Sequence, residues 1–139
     1  MKKNKISKNW INKQKRDIYV RKSKLEGYRS RAVYKLQEIQ TKFKVINNGM
    51  SIVDLGAAPG SWSEFISRKF KNIKLVAIDL KELDKIKNVT HIKGDFTDEI
   101  TQKKIEKNFD EKIDLGVSDM AVNTTGNKNV DSLVTGELS

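Results

Sequence analysis

The sequence contains no cysteine, one proline and a single histidine in 139 residues. Without cysteine there is no disulfide framework, and a lone histidine cannot assemble a Cys/His zinc site. No apolar run approaches the roughly 18 residues that a membrane-spanning helix needs. The N-terminus is basic but lacks the apolar core of a secretory signal. These absences leave a cytoplasmic protein with no membrane and no metal as the expectation. What remains is 37% hydrophobic and 33% charged, enough for one modest core under a heavily solvated surface.

Acidic residues are scarce in the first third. Residues 1–44 hold 15 Lys or Arg against 3 Asp or Glu, whereas residues 45–139 hold 13 against 15. The net charge of +10 therefore comes entirely from the start of the chain. Such segregation suggests a polyanion-facing arm, residues 1–28, ahead of a near-neutral body, residues 29–139. A merely solubilising Lys-rich tail gives the same composition. Trp10, Ile11, Ile18, Tyr19, Val20 and Leu25 are spaced through the arm, which suits a partly helical segment that docks only on something anionic. Gly27 ends it.

A helix is predicted next. Ser30 is a candidate N-cap, and Val33, Leu36, Ile39 and Phe43 recur at three- and four-residue intervals, giving one apolar face. Lys35 lies at the border of that face, where its stem can pack while its ammonium reaches out. Asn47-Asn48-Gly49 closes the segment. An alternating pattern follows, with strands at 51–55, 74–80, 90–94 and 112–118 and helices at 61–70 and 98–108. Ile100 and Ile105 are the expected anchors of the last helix. Strands alternating with helices predict a parallel α/β sheet covered on both faces.

Ligands of such sheets bind beyond the carboxyl ends of the strands. The first strand ends in Asp54-Leu55-Gly56-Ala57-Ala58-Pro59-Gly60-Ser61-Trp62, a turn small enough for close approach to the backbone. The second ends in Asp79, about 20 residues past that turn, where a carboxylate can accept from both hydroxyls of a ribose. The third leads to Gly94-Asp95-Phe96, an acid beside an aromatic that suits an adenine. The fourth ends in Asp119, facing the same crevice. Each piece has a plain structural reading too: Asp79 as a helix cap, Trp62 as core. The order of the four is what points to a site. The dinucleotide fingerprint G-x-G-x-x-G is missing, and so is a Walker lysine. A ligand with ribose and adenine but no phosphate fits better, which points to S-adenosylmethionine.

The stretch from Asp54 to Ser63 resembles the D-L-G-A-A-P-G-G-W-S signature of FtsJ-type ribose 2′-O-methyltransferases. Arg29-Ser30-Arg31-Ala32-Val33-Tyr34-Lys35-Leu36 is similar to their R-S-R-A-x-[FY]-K-L helix. Gly94-Asp95-Phe96 and Ser118-Asp119-Met120-Ala121-x-Asn123-x-x-Gly126 complete the series. The resemblance implies a Rossmann-like methyltransferase fold, an S-adenosylmethionine cofactor bound by Gly60, Trp62, Asp79, Asp95 and Asp119, and a catalytic set that includes Lys35 and Asp119. It implies methylation of a ribose in RNA, and the short basic arm and small body look most like the bacterial branch acting on a uridine of 23S ribosomal RNA in the large ribosomal subunit. That branch is expected to be monomeric at full length. Ser61 stands where the family usually has a second glycine. Val122 stands where it usually has proline, a change expected to loosen the loop carrying Asp119.

The family's second catalytic lysine and its glutamate lie on later strands than this chain reaches. The expectation is a sheet with strands in the order 3-2-1-4, later strands missing, with the fourth strand left as an exposed apolar edge prone to pairing or aggregation. Weak cofactor binding and poor methyl transfer are expected of such a chain. A non-catalytic RNA-binding module that kept the fold is the competing reading; a nucleotide-dependent oxidoreductase is disfavoured by the missing fingerprint.

Overall fold

The computed structural model describes residues 2–119 and 133–135, with the backbone alone for 2–7 and 133–135. The chain runs α1 (Lys2–Glu26), α2 (Val33–Phe43), β1 (Ser51–Leu55), α3 (Ser61–Lys69), β2 (Lys74–Asp79), β3 (Val89–Lys93), α4 (Glu99–Lys107), β4 (Leu115–Ser118) and β5 (Leu133–Thr135). The strands form one sheet in the order β3-β2-β1-β4-β5, and every neighbouring pair is parallel. The α/β class and the 3-2-1-4 order match the expectation from sequence.

β1 is buried along almost its whole length because parallel strands are covered on both faces. Alternation divides its residues between two cores. Ile52 joins Leu75, Leu115 and Val117 against Leu36 and Ile39 of α2 and Trp62, Phe65 and Ile66 of α3. Val53 and Leu55 join Val76 and Ile78 on the other face, against Ile105, Phe109 and Ile113. Gly94 lets α4 close on that side: a Cβ there would sit 2.6 Å from Thr101 Oγ1.

Several expectations are corrected. β4 is not an edge, because β5 pairs with it from Gly116↔Leu133 to Ser118↔Thr135; the later strands are not all missing, and the three-residue β5 is the edge instead. Helix α2 begins at Val33 with Ala32 at the N-cap, so Ser30 is no cap. Its hydroxyl still accepts from Ala32 N–H at 3.3 Å at the helix entry, and it is also hydrogen-bonded to the hydroxyl of Ser61. Phe43 is 62% exposed, because the helix stops there and Lys44 turns left-handed at φ 48°. Ile105 is buried as expected, but Ile100 is 66% exposed; the residue that joins Ile105 on the face meeting the sheet is Thr101, four positions before it and one past Ile100.

The basic arm is also more ordered than expected. α1 is one continuous helix, and contacts within the chain seat its C-terminal half on the body. Tyr19 stacks on Tyr34 with ring centroids 5.2 Å apart, and Lys22 Nζ lies 4.9 Å from the same ring. Ser23 and Tyr28 are buried. Arg68 of α3 donates to the carbonyls of Glu26 (3.3 Å) and Gly27 (3.0 Å) and lies over the Tyr28 ring at 4.6 Å. The carbonyls at a helix C-terminus lack intrahelical partners and carry partial negative charge, so a guanidinium there is well matched.

Candidate functional site

The parallel registers bring the carboxyl ends of β1, β2, β3 and β4 to one side of the sheet. There the turn 56–60 leaves β1, with positive φ at Gly56 (66°) and Gly60 (109°) and a cis Ala58–Pro59 bond. Gly60 is closely packed: a Cβ would lie 2.9 Å from Ile86 Cδ1 and 3.2 Å from Arg29 Nη1.

Asp79 ends β2 and is held by two backbone donors. Ala58 N–H donates to Oδ2 at 2.9 Å and Lys81 N–H to Oδ1 at 2.8 Å. Its carboxylate is therefore fixed against the glycine turn, and each oxygen keeps a lone pair for a ligand hydroxyl. Asp95 follows β3 at the surface. Thr97 donates to its Oδ1 through both its N–H (2.9 Å) and its hydroxyl (2.6 Å), which holds the carboxyl below its usual range. Phe96 packs against the core beneath α4.

Asp119 ends β4 at the surface, yet enough protein surrounds its carboxyl that desolvation raises its pKa, opposed by the charges of Lys35 and then Arg31. The exposed ammonium of Lys35 and the carboxyl of Asp119 thus share one electrostatic neighbourhood. Trp62 belongs to the core: it is 3% exposed and its indole N–H donates to Ala32 O at 2.8 Å. Val122, Asn123 and Gly126 lie outside the described residues.

Two residues that the sequence did not single out complete the arrangement. Asp54 is a buried acid at the centre of the sheet, 1% exposed, accepting from Ser63 Oγ at 2.7 Å. Burial pushes its carboxyl up to about 7; the Ser63 bond lowers it, and the charges of Asp119 and Asp79 raise it. An acid inside the apolar run Ser-Ile-Val-Asp-Leu was the available signal. Arg29 is the other, with a guanidinium that reaches Pro59 O, Asp84 O and Lys85 O. Its acceptors are main-chain carbonyls far along the sequence, so no local pattern announces it.

The set of acceptors suits a nucleoside rather than a nucleotide. Carboxylates stand at three strand ends, and anions of this kind repel phosphate while accepting from hydroxyl and amino groups. Among the described residues, no group of three His, Cys, Asp or Glu side chains could hold a metal ion. No helix among them is long and apolar enough to cross a membrane.

A parallel sheet with a small glycine turn, a fixed acid at the next strand end and a Lys–Asp neighbourhood beside it defines a methyltransferase-type nucleoside-binding domain. The chain belongs to the FtsJ-like methyltransferase family, whose sequence model matches residues 28–139; that family uses S-adenosylmethionine in general. The chain is 62% identical over 139 residues to the ribosomal RNA large subunit methyltransferase E of Pelagibacter ubique, covering all of this chain and 68% of that protein. It is 47% identical over 135 residues to the protein of the same name from Rickettsia felis, covering 93% of this chain and 60% of that one. A crystal structure of a Plasmodium falciparum protein described as a ribosomal RNA methyltransferase superposes with a TM-score of 0.61 at 37% identity, over 73% of this chain and 60% of that one. The chain thus spans about 60 to 68% of the length of these relatives.

Proposed function

We propose that the polypeptide containing this chain methylates the 2′-hydroxyl of a uridine ribose in 23S ribosomal RNA, as a cytoplasmic enzyme acting on the large ribosomal subunit and monomeric at full length. One observation carries the reading: Asp79, fixed by the glycine turn, shares a sheet edge with Asp119, which lies in the field of Lys35 and Arg31. S-adenosylmethionine, when bound, supplies the electrophilic methyl group.

The chain's own residues do the rest. Asp79 accepts hydrogen bonds from ribose hydroxyls, and Asp95 accepts from the adenine amino group. The turn around Gly60, and the backbone at Trp62, let the ligand lie close. Lys35 orients the target hydroxyl and stabilises the negative charge that grows on its oxygen, while Asp119 balances that ammonium. The hydroxyl proton passes to solvent as the new O–CH3 bond replaces the sulfonium's S–CH3 bond, with the demethylated thioether as the product that leaves. Alignment of hydroxyl and methyl is worth at best roughly 7–11 kcal/mol.

The test is tritium transfer from labelled S-adenosylmethionine to large-subunit RNA, using the full reading frame that contains residues 1–139. Lys35→Ala should lower the rate by about 100-fold or more, the scale of a lost acid–base or charge-stabilising group. A variant as fast as the parent removes Lys35 from the reaction.

α1 supports an RNA substrate. It carries ten Lys or Arg against two acidic residues. Its inner face and Arg31 bound a groove of about 560 Å³ lined by Asn9, Asn12, Lys13, Arg16 and Tyr19, which combines cations for phosphates with a ring for stacking. Replacing Lys13, Lys15 and Arg16 by Ala should weaken RNA binding and reduce the slope of log K against log salt by about 2–3. An unchanged slope would show that α1 does not meet the RNA backbone.

A further inference from the structure

We propose that Arg29 is a positioning residue for the cofactor cleft, holding the entry to the Lys35 helix, the Pro59–Gly60 turn and the 84–86 loop at fixed spacing. The inference rests on the cofactor reading above, and its site is the seam between three segments that meet only in the fold.

The contacts are specific. Arg29 Nη1 donates to Pro59 O at 3.0 Å and to Asp84 O at 2.8 Å, and Nη2 to Lys85 O at 3.2 Å. Its Nε faces Glu64 Oε2 at 3.5 Å, and its own backbone N–H donates to Glu64 Oε1 at 3.0 Å. Glu64 thus fixes both the main chain and the root of the guanidinium, while the fork points at carbonyls of two separate loops. Gly60 has no Cβ where Arg29 passes: one would lie 3.2 Å from Nη1 and 3.6 Å from Cδ. The same seam carries the Ser30–Ser61 hydroxyl pair and the Trp62–Ala32 bond.

A stability role alone needs only the ion pair with Glu64. One donation to Pro59 O in the turn and two to Asp84 O and Lys85 O of the facing loop set the spacing between those segments, and the turn backbone also grips Asp79 through Ala58 N–H. One planar side chain therefore ties the position of Lys35, six residues along, to the position of the ribose acceptor. Lysine cannot replace it, because a point ammonium lacks the fork that reaches both loops.

The test uses R29K and R29Q in the 139-residue chain, since R29A risks a folding defect. Affinity for S-adenosylmethionine should fall on the order of 10- to 100-fold, the scale of loss when a partner that orients the ligands of a metal site is removed. Proton–nitrogen NMR spectra without ligand should show the amides of Ala58, Gly60, Lys85 and Ile86 displaced, with those of Val53 and Val76 unmoved. Free methylguanidinium should restore part of the lost affinity of R29Q. Wild-type affinity in R29K, or amide changes spread evenly through β1 and β2, overturns the proposal. If the wild-type chain itself takes up no S-adenosylmethionine, the cofactor reading fails, and the loop amides still decide whether Arg29 positions these segments.

Discussion

Asp54→Asn should erase a fall in stability between about pH 4 and pH 7. Asp54 is 1% exposed, and burial raises its carboxyl from 3.8 to about 7. Below pH 4 it is protonated whether the chain is folded or not. Between pH 4 and 7 the unfolded chain ionises first, so the folded state loses relative stability. Above pH 7 both states are ionised and the dependence stops. The difference in proton affinity corresponds to about 4 kcal/mol across that window. Asn keeps a carbonyl to accept from Ser63 and cannot titrate. His91 acts in the opposite direction, because its imidazole is held below 6.5 chiefly by burial and favours unfolding as pH drops. Comparing wild type with D54N at each pH cancels that background. Urea unfolding from pH 4 to 8 should give a flatter profile for the variant; parallel profiles would mean that Asp54 is already ionised in the fold.

Gly60→Ala should cost about 2–4 kcal/mol. Part comes from holding a side chain at φ 109°, a conformation only glycine adopts freely. The rest comes from driving a Cβ to 2.9 Å from Ile86 Cδ1 and 3.2 Å from Arg29 Nη1; both are side-chain ends that can shift, so this crowding falls at the low end of the roughly 1–3 kcal/mol typical of overpacking. For a chain of this size that is a melting-temperature drop of roughly 10 °C. Gly49→Ala is the control. Gly49 also has positive φ, at 84°, but no neighbour within 4 Å of the added carbon, so only the backbone strain of about 1 kcal/mol applies. Equal losses for the two variants in calorimetry would show that crowding at the turn contributes nothing.

The fold was legible where burial on two faces leaves a run dominated by apolar residues. Ser51–Leu55 and Lys74–Asp79 are such strands, and their carboxyl ends were readable as ligand positions because sheet topology fixes where they emerge. Legibility failed where a long-range partner displaces a local rule. Ser30 keeps a local bond from Ala32 N–H but sits outside the N-cap position, and its hydroxyl also bonds Ser61, 31 residues away. Ile105 meets the sheet as its apolar character suggests, but its partner on that face is Thr101, four residues before it, and not Ile100. The pairing of β5 with β4 has no signature in a three-residue segment. Arg29 lay within a recognised motif, yet its role depends on carbonyls of Pro59, Asp84 and Lys85, and main-chain acceptors leave no trace in residue type. Asp54 was visible as an acid in a strand, but only the structure shows it sealed from water beside Ser63.

Isothermal titration of the folded chain with S-adenosylmethionine, and separately with its demethylated product, tests the central claim most directly. The account predicts one site per chain for each ligand, with Asp79→Ala weakening both at least about 30-fold, the roughly 2 kcal/mol expected when a charged acceptor of ligand hydroxyls is removed. Absence of heat with either ligand, or unaltered affinity in the Asp79 variant, contradicts it.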